Sequence, residues 1–163
     1  MDKSSNSLVF PFDFLSDTSQ NRVIYLLGTI AISTIPALVI SFLIFTFFPE
    51  AEPPPLPESA ITLFFNVVIF APLIETLLLW LGISIIKRFT SSTWSIALVS
   101  AFIWGVFHSL GALGHGFTIF WSFVVFSFAF VVWYEKSRNL ALGMCMAIHA
   151  GQNFIAFLLM QIL

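Results

Sequence analysis

In this chain of 163 residues, 59% are hydrophobic, 9% are charged and the mean hydropathy is +1.02. Soluble domains carry about 25% charged residues, so the composition excludes a water-soluble globule. The six basic residues never cluster beyond Lys87-Arg88, which excludes a nucleic-acid surface.

Residues 1–22 read as a polar N-terminal segment with one apolar patch, Leu8–Leu15. Asp17, followed three residues later by Gln20, fits a helix N-cap and its partner just ahead of the first apolar run. That run starts too late and is too long for a cleaved signal, and no small-residue cleavage site follows it, so a retained span is expected.

An α-helix needs about 20 apolar residues to cross the hydrocarbon core of a bilayer. Five segments of the 23–163 region fit or nearly fit: Val23–Phe48, Ser59–Ile86, Trp94–Leu110, Phe117–Tyr134 and Ala141–Leu163. The expected fold is therefore all-α, a polytopic membrane helical bundle of about five spans. The separators have the character of breaks. Pro49–Glu58 is proline-rich and acidic, Lys87–Thr93 is a basic turn, Gly111–Gly116 (GALGHG) is a glycine-rich turn, and Glu135–Asn139 is charged. The third span is the shortest. The Phe-rich fourth, polar in mid-span only at Ser122 and Ser127, reads as a lipid-facing or packing helix. Cys145, the single cysteine, sits in an apolar run and reads as packing.

Threading five spans puts Lys3, Arg22, Lys87, Arg88, Lys136 and Arg138 on one side, which the positive-inside rule makes cytoplasmic. Glu50, Glu52 and Glu58 fall on the other. The expectation is a multi-pass protein of a bacterial plasma membrane, with a cytoplasmic N-terminal segment and an external C-terminus.

Four polar groups stand out within the spans: Glu75, His108, His149 and Asn153. A carboxylate in mid-membrane is costly, about 3 kcal/mol on insertion scales, and such groups normally face a bundle interior. At about 1.5 Å rise per residue, Glu75 lies roughly 18 Å from Lys87, and His149 and Asn153 roughly 17 and 22 Å from Arg138. His108 lies roughly 22 Å from Thr93 on the same measure. One layer holds all four. His149 and Asn153, four apart, share a helix face, as do Trp104 and His108. Gly143, Ala147 and Gly151 form a small-residue row on the opposite face of the fifth span, suited to close helix packing. Pro72, three residues before Glu75, favours a kink that opens room for water beside the carboxylate.

Such a set suits water-mediated attack on an amide. A desolvated glutamate acts as general base toward water, with His108 holding the same water. His149 and Asn153 supply donors to a tetrahedral oxyanion, a role for which Asn is apt because its amide donates without titrating. His115 in GALGHG reads as a loop residue, and Asn66, Thr76 and Gln152 as polar groups bonding neighbouring helices.

The layout resembles the CAAX prenyl endopeptidase type II and bacteriocin-processing (Abi, or CPBP) family of intramembrane proteases. Its motifs are E-E-x-x-x-R, aromatic-x-x-x-H and H-x-x-x-N on successive helices. Here they correspond to A-P-L-I-E-T-L-L-L-W at Ala71–Trp80, W-G-V-F-H at Trp104–His108 and H-A-G-Q-N at His149–Asn153, across roughly residues 60–160. The resemblance implies Glu75 as the water-activating glutamate, His108 as its partner, and His149 with Asn153 as oxyanion donors. It implies a peptide or membrane-protein substrate within the lipid bilayer. The pattern departs at Thr76, which stands at the second glutamate, and at Trp80, which stands at the arginine.

That departure keeps open a non-proteolytic relative acting as an immunity or scaffolding protein. The histidines also leave open an intramembrane ligand or ion site, such as two-histidine haem ligation or a Glu–His proton relay. No cofactor is expected. Glu75, His108 and His149 would be the ligands of a zinc ion, although the H-E-x-x-H spacing of zinc proteases is missing and Asn153 would be a poor ligand.

Overall fold

The computed structural model describes residues 9–49 and 59–162. Lys3, Glu50, Glu52 and Glu58, which enter the topology argument, lie outside them, as does Leu8 of the apolar patch. The described elements are all helical: α1 (Phe12–Ser16), α2 (Arg22–Phe47), α3 (Ala60–Phe64), a π-helical segment (Phe65–Phe70), α4 (Ala71–Ile86), α5 (Thr93–Ser109), α6 (Leu113–Tyr134) and α7 (Arg138–Ile162). Together α3, the π segment and α4 run as one rod, Ala60–Ile86.

Four helices are long and apolar enough to cross a membrane: Arg22–Phe47, Ala60–Ile86, Gly114–Tyr134 and Arg138–Ile162. The apolar α5 has 17 residues, about 25 Å at 1.5 Å per residue, and so falls short of the roughly 30 Å hydrocarbon core. The chain is an integral, multi-pass membrane protein, a polytopic helical bundle with the expected five apolar helices, the third of them too short to span unaided.

Helix starts follow local chemistry. The Asn21 side chain accepts from the Val23 and Ile24 amides and caps α2, Ser59 accepts from Thr62 N, and Ser92 accepts from Ser95 N. The cap expected at Asp17 is therefore displaced to Asn21. Asp17 instead accepts from Ser19 N and Ser19 Oγ, while Gln20 donates to the Phe14 and Asp17 carbonyls. A β-turn-like knot precedes the helix because four residues still separate Asp17 from the first helical turn.

The Phe-rich α6 is the axis of the bundle. In its most apolar window 72% of residues are buried, against 17% in α2 and in α7. Phe123 to Phe126, Phe128 to Val131 and Trp133 all lie in the core. Of the two readings of the fourth span, packing helix is the one observed. Its near neighbour α5 lies backbone to backbone against it, because a side chain on Gly116 would fall on the Gly105 carbonyl and Ser109 Oγ. Ser127 Oγ donates to Ser100 Oγ at 2.9 Å further along the same pair.

The turn expected over Gly111–Gly116 is shorter than the glycine pattern suggests. Helix α6 begins at Leu113, so only Leu110–Ala112 separate it from α5. The N-terminal patch is also a packing element. Leu15 is fully buried, Phe12 lies 4.1 Å from the Trp94 ring, and Tyr25 OH donates to Leu15 O at 2.9 Å.

The small-residue row on α7 divides in two. A side chain on Gly151 would strike Ile30 of α2, whereas Gly143 has open space beside it. Only the Gly151 end sets a helix contact.

Basic residues gather at one end, as the threading requires. Lys87 Nζ lies 3.2 Å from Glu135 Oε1, and Lys136 Nζ donates to Thr18 O at 2.5 Å. These contacts bring together the chain before α2, the turn after α4 and the turn between α6 and α7.

Candidate functional site

Two helix defects set the site. In the π segment the Ala71 amide donates to Asn66 O, five residues back instead of four. Continued one residue further, that register would pair residue 72 with Val67 O. Pro72 has no N–H to give. Asn153 Nδ2, from α7, donates to Val67 O at 2.7 Å instead. The bond fixes the amide orientation, since a carbonyl oxygen can only accept. The kink anticipated at Pro72 thus takes the form of a π turn before the proline, and it places Glu75 one turn into α4.

Glu75 faces two histidines from two other helices. His149 Nε2 of α7 is 3.7 Å from Glu75 Oε2, and His108 Nε2 of α5 is 4.0 Å from Glu75 Oε1. Both distances exceed a direct hydrogen bond. The Glu75 and His108 side chains are each 21% exposed, and that of His149 is 7% exposed. His108 Nδ1 lies 3.0 Å from the Trp104 carbonyl. A carbonyl oxygen cannot donate, so Nδ1 carries the proton and a neutral ring turns the lone pair of Nε2 toward Glu75. Trp104, four residues before His108, is thereby the orienting residue through its backbone. His149 is held by Phe126, with ring centroids 4.7 Å apart, and by Phe123 at 5.8 Å.

All four residues singled out from sequence line one cavity of about 340 Å³. Its other walls come from α2, through Thr34, Ala37, Ser41 and Phe45, and from α6 and α7. The helix directions give its axis. Phe45 and Met160 stand near the C-terminal ends of α2 and α7, and His108 and His115 flank the α5–α6 turn. The cavity therefore runs from mid-depth toward the end of the bundle opposite the basic residues. The short α5 stops beside it.

Two residues with bland sequence readings belong to this cavity. His115 is not in a loop but in the first turns of α6, its ring stacked on that of His108 at 5.3 Å and 7°. The sharp Leu110–Ala112 reversal folds it back, and the near absence of a linker between two helical patterns was the signal. Gln152 does bond a neighbouring helix, through Nε2 to Ser122 Oγ at 2.7 Å, and it also lines the cavity. Its position three residues after His149 places it on the same helix face.

The departures from the motif have structural counterparts. Thr76 is buried, 1% exposed. The Arg138 guanidinium, from the start of α7, lies 5.5 Å from the Trp80 ring, so a cation–π contact occupies the place of the motif's arginine. Zinc ligands must reach a shared point about 2.0–2.2 Å away. Among the described residues, no group of three or more His, Cys, Asp or Glu side chains is arranged to hold a metal ion.

Comparison with curated proteins and with solved structures gave no match. Comparison with protein families matched residues 57–155, more than half of the chain, from the start of α3 into α7 and across Glu75, His108, His149 and Asn153. With that match and this helical bundle, the chain belongs to the Type II CAAX prenyl endopeptidase Rce1-like family.

Proposed function

We propose that the protein is an intramembrane endopeptidase that cleaves a membrane-proximal peptide bond with a water activated by Glu75. The observation that carries this reading is the convergence of His108 Nε2 and His149 Nε2 on the two oxygens of one intramembrane carboxylate, at 4.0 and 3.7 Å. Neither gap admits a water in line, so the attacking water sits beside the carboxylate, in the cavity that Glu75 and His108 both line.

In this mechanism the Glu75 carboxylate takes a proton from water while the His108 Nε2 lone pair fixes that water's second hydrogen. The hydroxide formed attacks the scissile carbonyl carbon. The oxyanion accepts from His149 Nε2–H and from the Asn153 amide hydrogen not engaged by Val67 O. Glu75 then passes its proton to the departing amine nitrogen, the C–N bond breaks, and the carboxylate is restored.

The positive-inside rule assigns the basic end to the cytoplasm. The N-terminus is then inside, the C-terminus outside, and the cavity mouth faces outward. A reporter fused after Leu163 is expected to be active only in the external compartment.

The experiment that tests the activity is direct. Purified protein in detergent, given a prenylated CAAX peptide, should release its C-terminal fragment. His108→Ala and His149→Ala should each lower the rate by about 10²-fold or more. Equal rates in both variants and the parent would contradict the assignment. The missing ion pair at Thr76 and Trp80 favours a second reading, a non-proteolytic relative that binds a partner. It predicts no fragment from any of the three proteins.

A further inference from the structure

His115 lines the cavity from α6, half-buried, and the catalytic reading gives it no part. An ionisable ring in a membrane helix is costly and rarely stands there without a use. Its plane lies 7° from that of His108, with ring centroids 5.3 Å apart. That is an offset stack, a preferred arrangement of flat π systems. The Trp104 and Phe123 rings also stand beside His108, at 5.7 and 5.5 Å, but meet it at 49° and 50°. Among the described residues, His115 is the ring that lies parallel to His108 and so defines its plane.

The backbone sets the spacing of this pair. Gly105 stands three residues before His108, and Gly116 directly follows His115. A side chain on Gly116 would fall on the Gly105 carbonyl and Ser109 Oγ, so α5 and α6 meet here with no side chain between them. The His115 amide donates to the Ala112 carbonyl at 3.0 Å, and Thr118 Oγ1 donates to the His115 carbonyl at 2.8 Å. These bonds fix where the His115 side chain leaves α6. The glycine contact fixes how far it stands from His108.

His108 needs such support. One hydrogen bond anchors its ring, between Nδ1 and the Trp104 carbonyl at 3.0 Å, and a single bond leaves a ring able to pivot. Nε2, at the far side of the ring, is the atom the mechanism uses, 4.0 Å from Glu75 Oε1. Catalytic groups must be held within about 0.5 Å and 10–20° of the productive geometry, and a misplacement of about 1 Å can cost 10²-fold. A second flat ring against the first restricts the pivot and leaves the edge that carries Nε2 uncovered.

We infer that His115 is a positioning residue for the reaction: its ring, stacked on that of His108, holds His108 Nε2 on the water that Glu75 activates. The inference rests on the proteolytic reading of the site. It gives the Gly105–Gly116 contact a second consequence, the separation of the two rings.

The test separates the flat ring from its nitrogens. On a prenylated CAAX peptide in detergent, His115→Ala should lower kcat about tenfold and leave KM within about twofold. His115→Phe, which keeps a flat ring and loses both nitrogens, should recover kcat to within about threefold of the parent. His115→Leu fills the space without a flat ring and repeats the loss should the alanine variant fail to fold. Nitrogen-15 spectra of histidine-labelled protein supply a readout that needs no turnover. The His108 ring should show one tautomer, protonated at Nδ1, in the parent and in His115→Phe, and an averaged signal in His115→Ala or His115→Leu. Unchanged kcat and an unchanged His108 signal in the alanine and leucine variants would overturn the inference and leave the protease standing. A phenylalanine variant as slow as the alanine one would overturn it too, by showing that the nitrogens and not the stack are needed. A parent protein that cleaves no peptide would overturn the protease reading, and the positioning role with it.

Discussion

Pro36 in α2 and Pro72 in α4 each remove a backbone donor, and a side chain from another helix donates in its place. Pro36 leaves Ile32 O, four residues back, and Trp121 Nε1 of α6 reaches it at 2.8 Å. Pro72 leaves Val67 O, five residues back in the π register, and Asn153 Nδ2 of α7 reaches it at 2.7 Å. A membrane requires both repairs, because an unpaired carbonyl has no bulk water to turn to. The donors differ in what they have left. An indole N–H has one hydrogen and spends it, whereas an amide nitrogen has two and keeps one. The Trp121 repair is a pin between helices. The Asn153 repair is a pin that also presents a donor to the cavity beside Glu75. A proline defect becomes part of a site where its substitute donor has hydrogen-bonding capacity to spare.

The comparison can be broken at either pin. Asn153→Leu should remove the spare donor and the bond to Val67 O together. Its catalytic rate should fall by about 10²–10³-fold, the range for losing an oxyanion donor. Its unfolding free energy in detergent should fall by about 1–2 kcal/mol. A stable, fully active Asn153→Leu protein would show that the amide does neither job. Trp121→Phe should lose stability by a similar 1–2 kcal/mol and leave the rate within about twofold, because Trp121 does not line the cavity. A large rate loss with unchanged melting would reverse the assignment of the two pins.

The smallest effect lies outside the membrane, where a local knot replaces both kinds of pin. Hydrogen bonds from the Ser19 hydroxyl and amide hold the Asp17 carboxyl below its usual 3.8. The depressed folded-state value means that the stabilisation is complete above about pH 4 and is lost as pH falls through the lower folded value. Asp17→Asn should lower the melting temperature slightly at neutral pH, where the stabilisation is complete, and flatten the acid limb, so that variant and parent converge at low pH. A melting curve identical to the parent's at pH 7 and in acid would contradict this account of the knot.

Much of the site was legible because its residues are costly. Glu75, His108, His149 and Asn153 are the kind of groups a bilayer tolerates only with partners, and their counted depths agreed before any tertiary contact was known. Pro72, the one proline within the second span, marked the bend. What the sequence concealed was tertiary. Phe-rich α6 reads the same whether it faces lipid or a core, since both are apolar, and only packing showed it to be the axis. His115 looked like a loop residue because glycine usually marks turns. In α5 and α6, however, Gly105 and Gly116 serve close helix approach. The patch ending at Leu15 was too short to read as a helix, and its burial depends on Tyr25 and Trp94 from elsewhere in the chain.

The account turns on whether the Glu75 carboxylate is the base, and Glu75→Gln is the measurement. The substitution keeps the shape and the reach to His108 and His149 while removing the proton acceptor. Cleavage of a prenylated CAAX peptide should fall by about 10²–10⁴-fold, with melting in detergent unchanged or raised, because a mid-membrane charge has been removed. A Glu75→Gln protein that folds as well and cleaves at the parent rate would contradict the central claim.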